Sequence, residues 1–349
     1  MKEHITELAS GVDAIYASAR NAILAYHLDD FEALKKFSSE YGVPASVNLG
    51  GESFEVLPYN WQKYPVALRH ENGQLGFTSS NVIPSIRLQI RSEFIHSVGA
   101  DAALSWFTEK LKLIEIYPAW TFSRIDLYVD IQGWDLSGFE KERFLCRAKN
   151  ISSYDEDGQF SGFTFGKRKS KTILCRIYNK TLELRTSKKL WTAMAWDENY
   201  DPNLDVYRIE FEFNRNALKE FGLNTSDETL NSIAGLWSHA TQEWLTHRDQ
   251  IEDSNKSRWP ISREWNQIQN ASIAGSRIPI ERIRESKEAV KIEALVAPLR
   301  GYLTSIGNLL GADDLSSTMG KVGDFYTKDE KKTGVSFASR IAEKRLRQA

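Results

Sequence analysis

Cysteine is scarce in this chain of 349 residues. There are two, Cys146 and Cys175, too few for a disulfide framework. A reducing, cytoplasmic setting is therefore expected. No apolar run approaches the roughly 20 residues of a membrane span, and Met1-Lys2-Glu3-His4 lacks the charged-then-apolar plan of a signal peptide. Zinc spacings are missing as well, with no Cys-x-x-Cys and no His-Glu-x-x-His. The six histidines (His4, His27, His70, His96, His239 and His247) include no His-x-His pair, which gives no support to a two-histidine metal nuclease. There is no Gly-x-x-x-x-Gly-Lys-Ser/Thr loop for a nucleotide. There is no Gly-x-Ser-x-Gly elbow for a serine nucleophile. Net charge is also small, at −2, so bulk electrostatics do not make this a nucleic-acid coat protein.

What is present is aromatic and locally basic. Aromatic residues make up 11% of the chain, with ten Trp, which suits a packed core or a stacking surface and not disorder. Between Lys167 and Lys189 there are nine Lys/Arg and one acid, Glu183. The last 29 residues hold eight basic and four acidic residues. Two readings are open: a face made for phosphate, or solvated surface with acids folded back onto it.

The length suggests about two structural units. Val12–Ala19 reads as a short strand and Asp29–Tyr41 as a helix ending before Gly42. Turn signals over 48–83 predict hairpins. Ser85–Arg91 alternates, with Ile86, Leu88 and Ile90 opposite Arg87, Gln89 and Arg91. Asp101–Leu113 reads as a helix. Ser226–Trp244 reads as one long amphipathic helix, its Leu230, Ile233, Trp237 and Trp244 stripe suited to core. In 253–265 basic and aromatic residues interleave, which fits either DNA contact or a capped loop. Glu288–Leu310 reads as a helix, and the tail ends in a short basic helix.

Three strands carry the functional signal. In Ser123–Ile131, Asp126 and Asp130 lie opposite an Ile/Leu/Val face. In Thr172–Lys180, Arg176, Tyr178 and Lys180 share one face. In Val206–Asn214, Arg208, Glu210 and Glu212 share one face. A strand at 160–166 should form an antiparallel hairpin with the Tyr178 strand. Side by side, these polar faces bring together four acids, a tyrosine and several cations. Carboxylates converging on one point suit a hard cation such as Mg²⁺ or Mn²⁺. A tyrosine beside it could attack a phosphodiester. Cross-strand salt bridging on a sheet surface is the competing account.

Thr164-Phe-Gly-Lys-Arg-Lys-Ser170, then Arg176-Ile-Tyr-Asn-Lys180, then Arg208-Ile-Glu-Phe-Glu212 resembles the Rep_trans group of rolling-circle replication initiators, the staphylococcal-type plasmid Rep proteins and related conjugative-element relaxases. The Arg124-x-Asp126 strand and Arg258-Trp259-Pro260 fit as well, so that the resemblance runs from about 10 to 270. It implies a metal-dependent enzyme that nicks and rejoins one DNA strand through a 5′-phosphotyrosyl link. Tyr178 would be the nucleophile, with Arg176, Lys180 and Arg208 balancing phosphate charge. Asp126 and Glu210 would hold Mg²⁺ or Mn²⁺, with Asp130 or Glu212 as a third ligand. DNA contacts are expected from the Lys167, Arg168, Lys169 and Lys171 turn, and origin choice from Asn255, Lys256 and Arg258. The expected fold is α+β: an antiparallel β-sheet with a polar catalytic face backed by helices, plus a small helical C-terminal appendage. The expected division is a core at 1–270, a linker at 271–286 and a helical region at 287–349. Expected partners are origin or nick-site DNA, duplex and single-stranded, a host helicase and a second copy in a homodimer, with no membrane. A conjugative relaxase, a non-catalytic DNA-binding regulator and a nuclease that activates water remain alternatives.

Overall fold

A computed structural model describes residues 5–20, 25–167, 172–187, 190–196, 199–274 and 292–346. The chain divides into two compact units, Met1–Ile283 and Arg284–Ala349. The first unit begins with strand β1 (Thr6–Ala19) and helix α1 (Ala25–Tyr41). A meander follows: β2 (Ala45–Leu49), β3 (Glu52–Val56), β4 (Val66–His70), β5 (Gly73–Phe77) and β6 (Ile86–Ile90). Helices α2 (Ser92–Val98) and α3 (Ala100–Lys112) lead to β7 (Thr121–Gln132). Then come β8 (Phe144–Cys146), β9 (Ile151–Glu156), β10 (Gln159–Phe165), β11 (Ile173–Asn179), helix α4 (Lys180–Ser187) and β12 (Val206–Asn214). The unit closes with α5 (Arg215–Glu220), α6 (Ser226–Asn231), α7 (Ile233–His239), β13 (Leu245–His247) and α8 (Arg263–Gln269).

Eleven strands form one sheet in the order β2-β3-β4-β5-β6-β1-β7-β12-β11-β10-β9. Among the described residues, each neighbouring pair of strands is antiparallel. The expected α+β fold with a large antiparallel sheet is therefore what the chain adopts. β1 is the joint: it pairs with β6 through Ile15–Ala19 and with β7 along Thr6–Ser18. It is longer than the segment read from the sequence, because irregular register at three places interrupts its alternation.

One face of the sheet is the core. Ile125, Leu127, Val129, Ile131, Ile209, Phe211, Phe213, Ile173, Cys175 and Ile177 are all buried there. Trp237 and Trp244 meet Phe211 at ring-centre distances of 5.4 and 6.1 Å. At the other end Phe31 of α1 meets Phe77 of β5 at 5.5 Å. Burial of this many aliphatic and aromatic side chains is the main stabilising contribution.

The helix expected over Ser226–Trp244 is instead α6, α7 and a wide π-turn over Ala240–Trp244. The Thr241 hydroxyl donates to the Trp237 carbonyl, while the Thr241 carbonyl accepts from Trp265 Nε1 and Gln269 Nε2, both at 2.8 Å. Side-chain donors thus take a carbonyl that an ordinary α-turn would use, and the turn widens. The predicted strand through Lys180 ends one residue sooner. The Asn179 side chain accepts from the Leu182 amide at 3.0 Å, and this local bond turns the chain into α4.

The second unit contains α9 (Ile292–Leu310), α10 (Leu315–Thr333) and α11 (Phe337–Leu346). α9 and α10 approach closely where Gly307 meets Thr318: a Cβ at 307 would lie 2.8 Å from Thr318 Oγ1. Asp314 caps α10 through Ser317, and Gly334 closes it with φ 69°. Among the described residues no helix is long and apolar enough to cross a membrane.

His247 tests the core of the first unit. Its Nε2 lies 3.0 Å from Glu140 and its Nδ1 lies 2.8 Å from the Ser262 hydroxyl. This resembles a Ser-His-Glu triad, but Ser262 is wholly buried and its oxygen also caps α8 at Trp265. The role is packing. Burial, then the Arg143 charge, pushes the His247 pKa down to about 3. The unfolded chain takes up this proton near pH 6.5 and the folded chain does not. Stability should therefore fall as pH drops from about 6.5 towards 3, by at most ~1.4 kcal/mol per pH unit from this group. Denaturant unfolding at stepped pH should show that slope, and His247→Gln should flatten it.

Candidate active site

The opposite face of β7, β12 and β11 is polar, and register places its residues in rows. Asp126 faces Glu212, Tyr128 faces Glu210, and Asp130 faces Arg208. On the next strand Arg176 faces Glu210 and Tyr178 faces Arg208. All eight side chains alternate with the core residues, so burying the apolar face forces them together.

Tyr178 stands at the centre. Its hydroxyl donates to Glu210 Oε2 at 3.2 Å. Arg176 holds the other oxygen of Glu210. The Arg176 guanidinium and the Lys180 ammonium lie 5.7 and 5.6 Å from the Tyr178 ring centre. Burial, followed by the Glu210 charge, raises the Tyr178 pKa well above that of a free phenol. Tyr178 and Arg176 line a surface cavity of about 350 Å³ together with Gly162, Thr164 and Glu183.

The carboxylates are paired with arginines. Asp126 accepts from Arg124 Nε and Nη2 at 2.8 and 2.5 Å, and the same Nη2 lies 2.9 Å from Glu212. Asp130 accepts from Arg208 at 2.6 and 2.7 Å and from Trp196 Nε1 at 3.0 Å. Arg208 is 1% exposed, and its third nitrogen donates to Asp13 at 2.6 Å. It is buried against the Tyr128 ring between two carboxylates, out of reach of a phosphate at the surface. Lys180 is almost buried and bonded to Glu183, and burial pushes its pKa down.

Three participants have no counterpart in the sequence patterns: Asp13, His96 and Trp196. His96 stacks on Tyr128 with ring centres 5.0 Å apart and contacts Asp13 at 3.3 Å. Burial alone would raise the Asp13 pKa, but His96 and Arg208 outweigh it and hold this carboxyl well below the usual range.

For a divalent cation the donor set divides. Asp130 is committed to Arg208 and Trp196. Asp126 is pushed up to about 8, by burial and then by the charges of Glu210 and Glu212 against the pull of Arg124. Crowding of this kind favours the protonated form of Asp126, which a bound cation would have to displace. Among the described residues no three His, Cys, Asp or Glu side chains form a metal cluster. Mg²⁺ needs no such cage, since it is commonly held by one or two carboxylates plus substrate phosphate. Asp126 and Glu210 are the pair that would hold it, and each would first have to release a partner, Asp126 from Arg124 and Glu210 from Arg176 or Tyr178.

The expected DNA contacts are dispersed. Lys167 is exposed, while Arg168, Lys169 and Lys171 lie outside the described residues. Asn255 caps the Ser257 amide, and Lys256 pairs with Glu142 at 2.8 Å. Arg258, 71% exposed, makes a 3.4 Å ion pair with Asp253.

Gly162 sits opposite Tyr178 across the β10–β11 pair. Its φ is +154°, and a Cβ there would come within 2.2 Å of the Ile177 carbonyl. Gly162→Ala should cost about 1–3 kcal/mol in denaturant unfolding through overpacking. It should also displace Tyr178, so that activity falls more than the unfolding midpoint suggests.

No protein-family model matches the chain. An uncharacterized protein of Pseudomonas phage Pf1, ORF430, is 25% identical over 152 residues, covering 34% of this chain and 35% of that protein. The chain thus matches about a third of the length of this curated relative. A solved rolling-circle replication initiator protein from Geobacillus stearothermophilus is similar with a TM-score of 0.44 and 14% identity, over 80% of this chain and 99% of that one.

Proposed function

We propose that this protein nicks and rejoins one DNA strand at a specific site, as the initiator of rolling-circle replication of a plasmid or mobile element, with Tyr178 as nucleophile. The observation that carries this reading is the bond from the Tyr178 hydroxyl to Glu210 at the edge of a cavity lined by Arg176, with the Lys180 ammonium 5.6 Å from the Tyr178 ring centre. The strand motifs that resemble the Rep_trans initiators support it.

The chemistry follows from the groups present. The Tyr178 oxygen forms a bond to the scissile phosphorus as the bond to the 3′ oxygen breaks. The phenolic proton passes to Glu210 Oε2, and the departing 3′ oxygen takes a proton from solvent. The DNA 5′ end is then joined to Tyr178, and the reverse attack by a 3′ hydroxyl rejoins the strand. With its pKa raised, Tyr178 needs this base at neutral pH. Arg176 has further N–H groups for a non-bridging phosphate oxygen. Mg²⁺ or Mn²⁺, when bound by Asp126 and Glu210, would polarise the phosphoryl group.

The arginine pairing of all four carboxylates favours a second reading, a DNA-binding regulator whose polar face is a salt-bridge network. A denaturing gel separates the two, because only the enzyme yields a covalent protein–DNA adduct. Tyr178→Phe should abolish the adduct and leave DNA affinity unchanged. Glu210→Gln should slow nicking by ~10²–10⁴-fold, the usual contribution of a general base. EDTA should suppress nicking. Adduct formation by Tyr178→Phe would transfer the role to another tyrosine, and no adduct from the wild type on any single strand would favour the regulator.

A further inference from the structure

The polar face does not stop at Tyr178. It continues across β7 and β1 into the meander. Tyr16 of β1 lies opposite Arg124 on one side and Gln89 on the other. The Arg124 guanidinium sits 5.1 Å from the Tyr16 ring centre, and Gln89 donates to the Tyr16 hydroxyl at 3.1 Å. In the adjacent row Ser18 faces Arg87, and Arg87 faces Gly76. The Arg87 guanidinium lies 4.4 Å from the Trp61 ring centre. Gly76 makes room for this aromatic: a Cβ there would come within 2.9 Å of the Trp61 ring and 3.0 Å of Tyr64.

Charge changes along this face. Around Tyr178 each cation has an acid. Arg87 does not: its contacts are the Gln62 amide oxygen and the Trp61 ring, and no carboxylate acts on it among the described residues. Burial pushes its pKa down, and only the phenols of Tyr64 and Tyr16 oppose the effect. A half-buried guanidinium stacked on indole, with no counter-charge, is a place for an anion beside a flat ring. Exposed Arg20, at the end of β1, adds a second cation, with two long contacts to the carbonyls of Asn81 and Val82 at 3.4 and 3.5 Å.

We infer that the sheet face from Arg124 through Tyr16 to Arg87 and Trp61 is a binding path for single-stranded DNA leading to Tyr178. Phosphates would sit on Arg124 and Arg87, and a base would stack on Trp61 or Tyr16. β6 is four strand spacings from β11, about 19 Å across the sheet at the usual 4.7–4.9 Å, and the Arg87 row meets β7 at Thr121, nine residues or about 30 Å along the strand from Asp130 in the Tyr178 row, so the path would span several nucleotides. This path rests on the proposed nicking function for its substrate but uses none of the nicking residues.

The test is fluorescence-anisotropy titration of a labelled, mixed-sequence strand of ~20 nucleotides, longer than the usual 4–16-nucleotide site of a single-strand-binding fold. It is carried out at several salt concentrations in the Tyr178→Phe background, where no covalent trapping occurs. Arg87→Gln should weaken binding about tenfold and lower the log–log salt slope by ~0.7, the loss of one phosphate contact on a single strand. Trp61→Leu should weaken binding by ~5- to 100-fold without changing the slope, as a lost stacking platform does. Arg69→Gln, whose cation is paired with Glu55 at 2.7 Å, should change neither. Unfolding midpoints accompany each variant, and if Trp61→Leu does not fold, Arg87→Gln alone decides. Unchanged affinity and slope for Arg87→Gln overturns the path, as does an equal loss on duplex DNA, which would make it a duplex surface. The two proposals fail separately. Loss of single-strand binding in Arg87→Gln with an adduct still formed by Tyr178→Phe would sink the nucleophile and keep the path. The opposite pair of results would sink the path and keep the nucleophile.

Discussion

Arg208 between Asp130 and Asp13 is the interaction on which the polar face depends. Its guanidinium is buried under Tyr178 and Tyr128, with its centre 4.1 Å from the Tyr128 ring centre. An unpaired guanidinium at that depth would cost several kcal/mol, and so would either aspartate without it. The three charges therefore fix one another, and they come from three strands, β1, β7 and β12. Replacing such a set with apolar residues is often neutral for stability. Its value here is geometric, since it sets the height and tilt of the strands on which Tyr178 and Glu210 stand.

The same logic extends outward. Arg124 is shared by Asp126 and Glu212, and Arg176 is taken by Glu210, so each acid near Tyr178 has a cation beside it. Without these arginines the carboxylates would repel both one another and any incoming phosphate. With them, five carboxylates share three arginines and the repulsion is reduced before DNA arrives. The alternation of Arg and acid along β7 and β12 thus serves the fold and the approach of a polyanion together.

The core was readable because period-two alternation is a strong signal. Ile125, Leu127, Val129 and Ile131 announced both a strand and the face opposite Asp126 and Asp130, and the same held for Ile209, Phe211 and Phe213. The adjacency of β7, β12 and β11 could be proposed because their polar faces needed one another. Asp13 could not be found in this way. Register shifts between Val12 and Ala14, so Asp13 occupies an irregular position that turns its carboxylate to the polar face out of phase with its neighbours. His96 and Trp196 come from a short helix and a turn, where a single functional side chain leaves no periodic trace. The fate of Arg208 was also hidden. A strand pattern says which face a charge is on and not how much protein covers that face. Here α2 and residues 190–196 cover it, with His96, Trp191 and Trp196 packed above the sheet.

β1 is what makes two half-sheets into one surface. Its C-terminal end pairs with β6 over Ile15–Ala19 and with β7 as far as Ser18, so Tyr16 lies between Gln89 and Arg124, with a register shift to β7 just after it. Its irregular end supplies Asp13 to Arg208. One strand therefore carries the clamp beneath the proposed nucleophile at one end and the aromatic step towards Arg87 at the other. The charge gradient follows from this construction: uncompensated cation at β6, a shared cation at β7, paired acids at β12. A polyanion lowered onto the face would meet attraction first at the meander and the neutralised carboxylates last. That order would bring a strand into line before its phosphate reaches Tyr178.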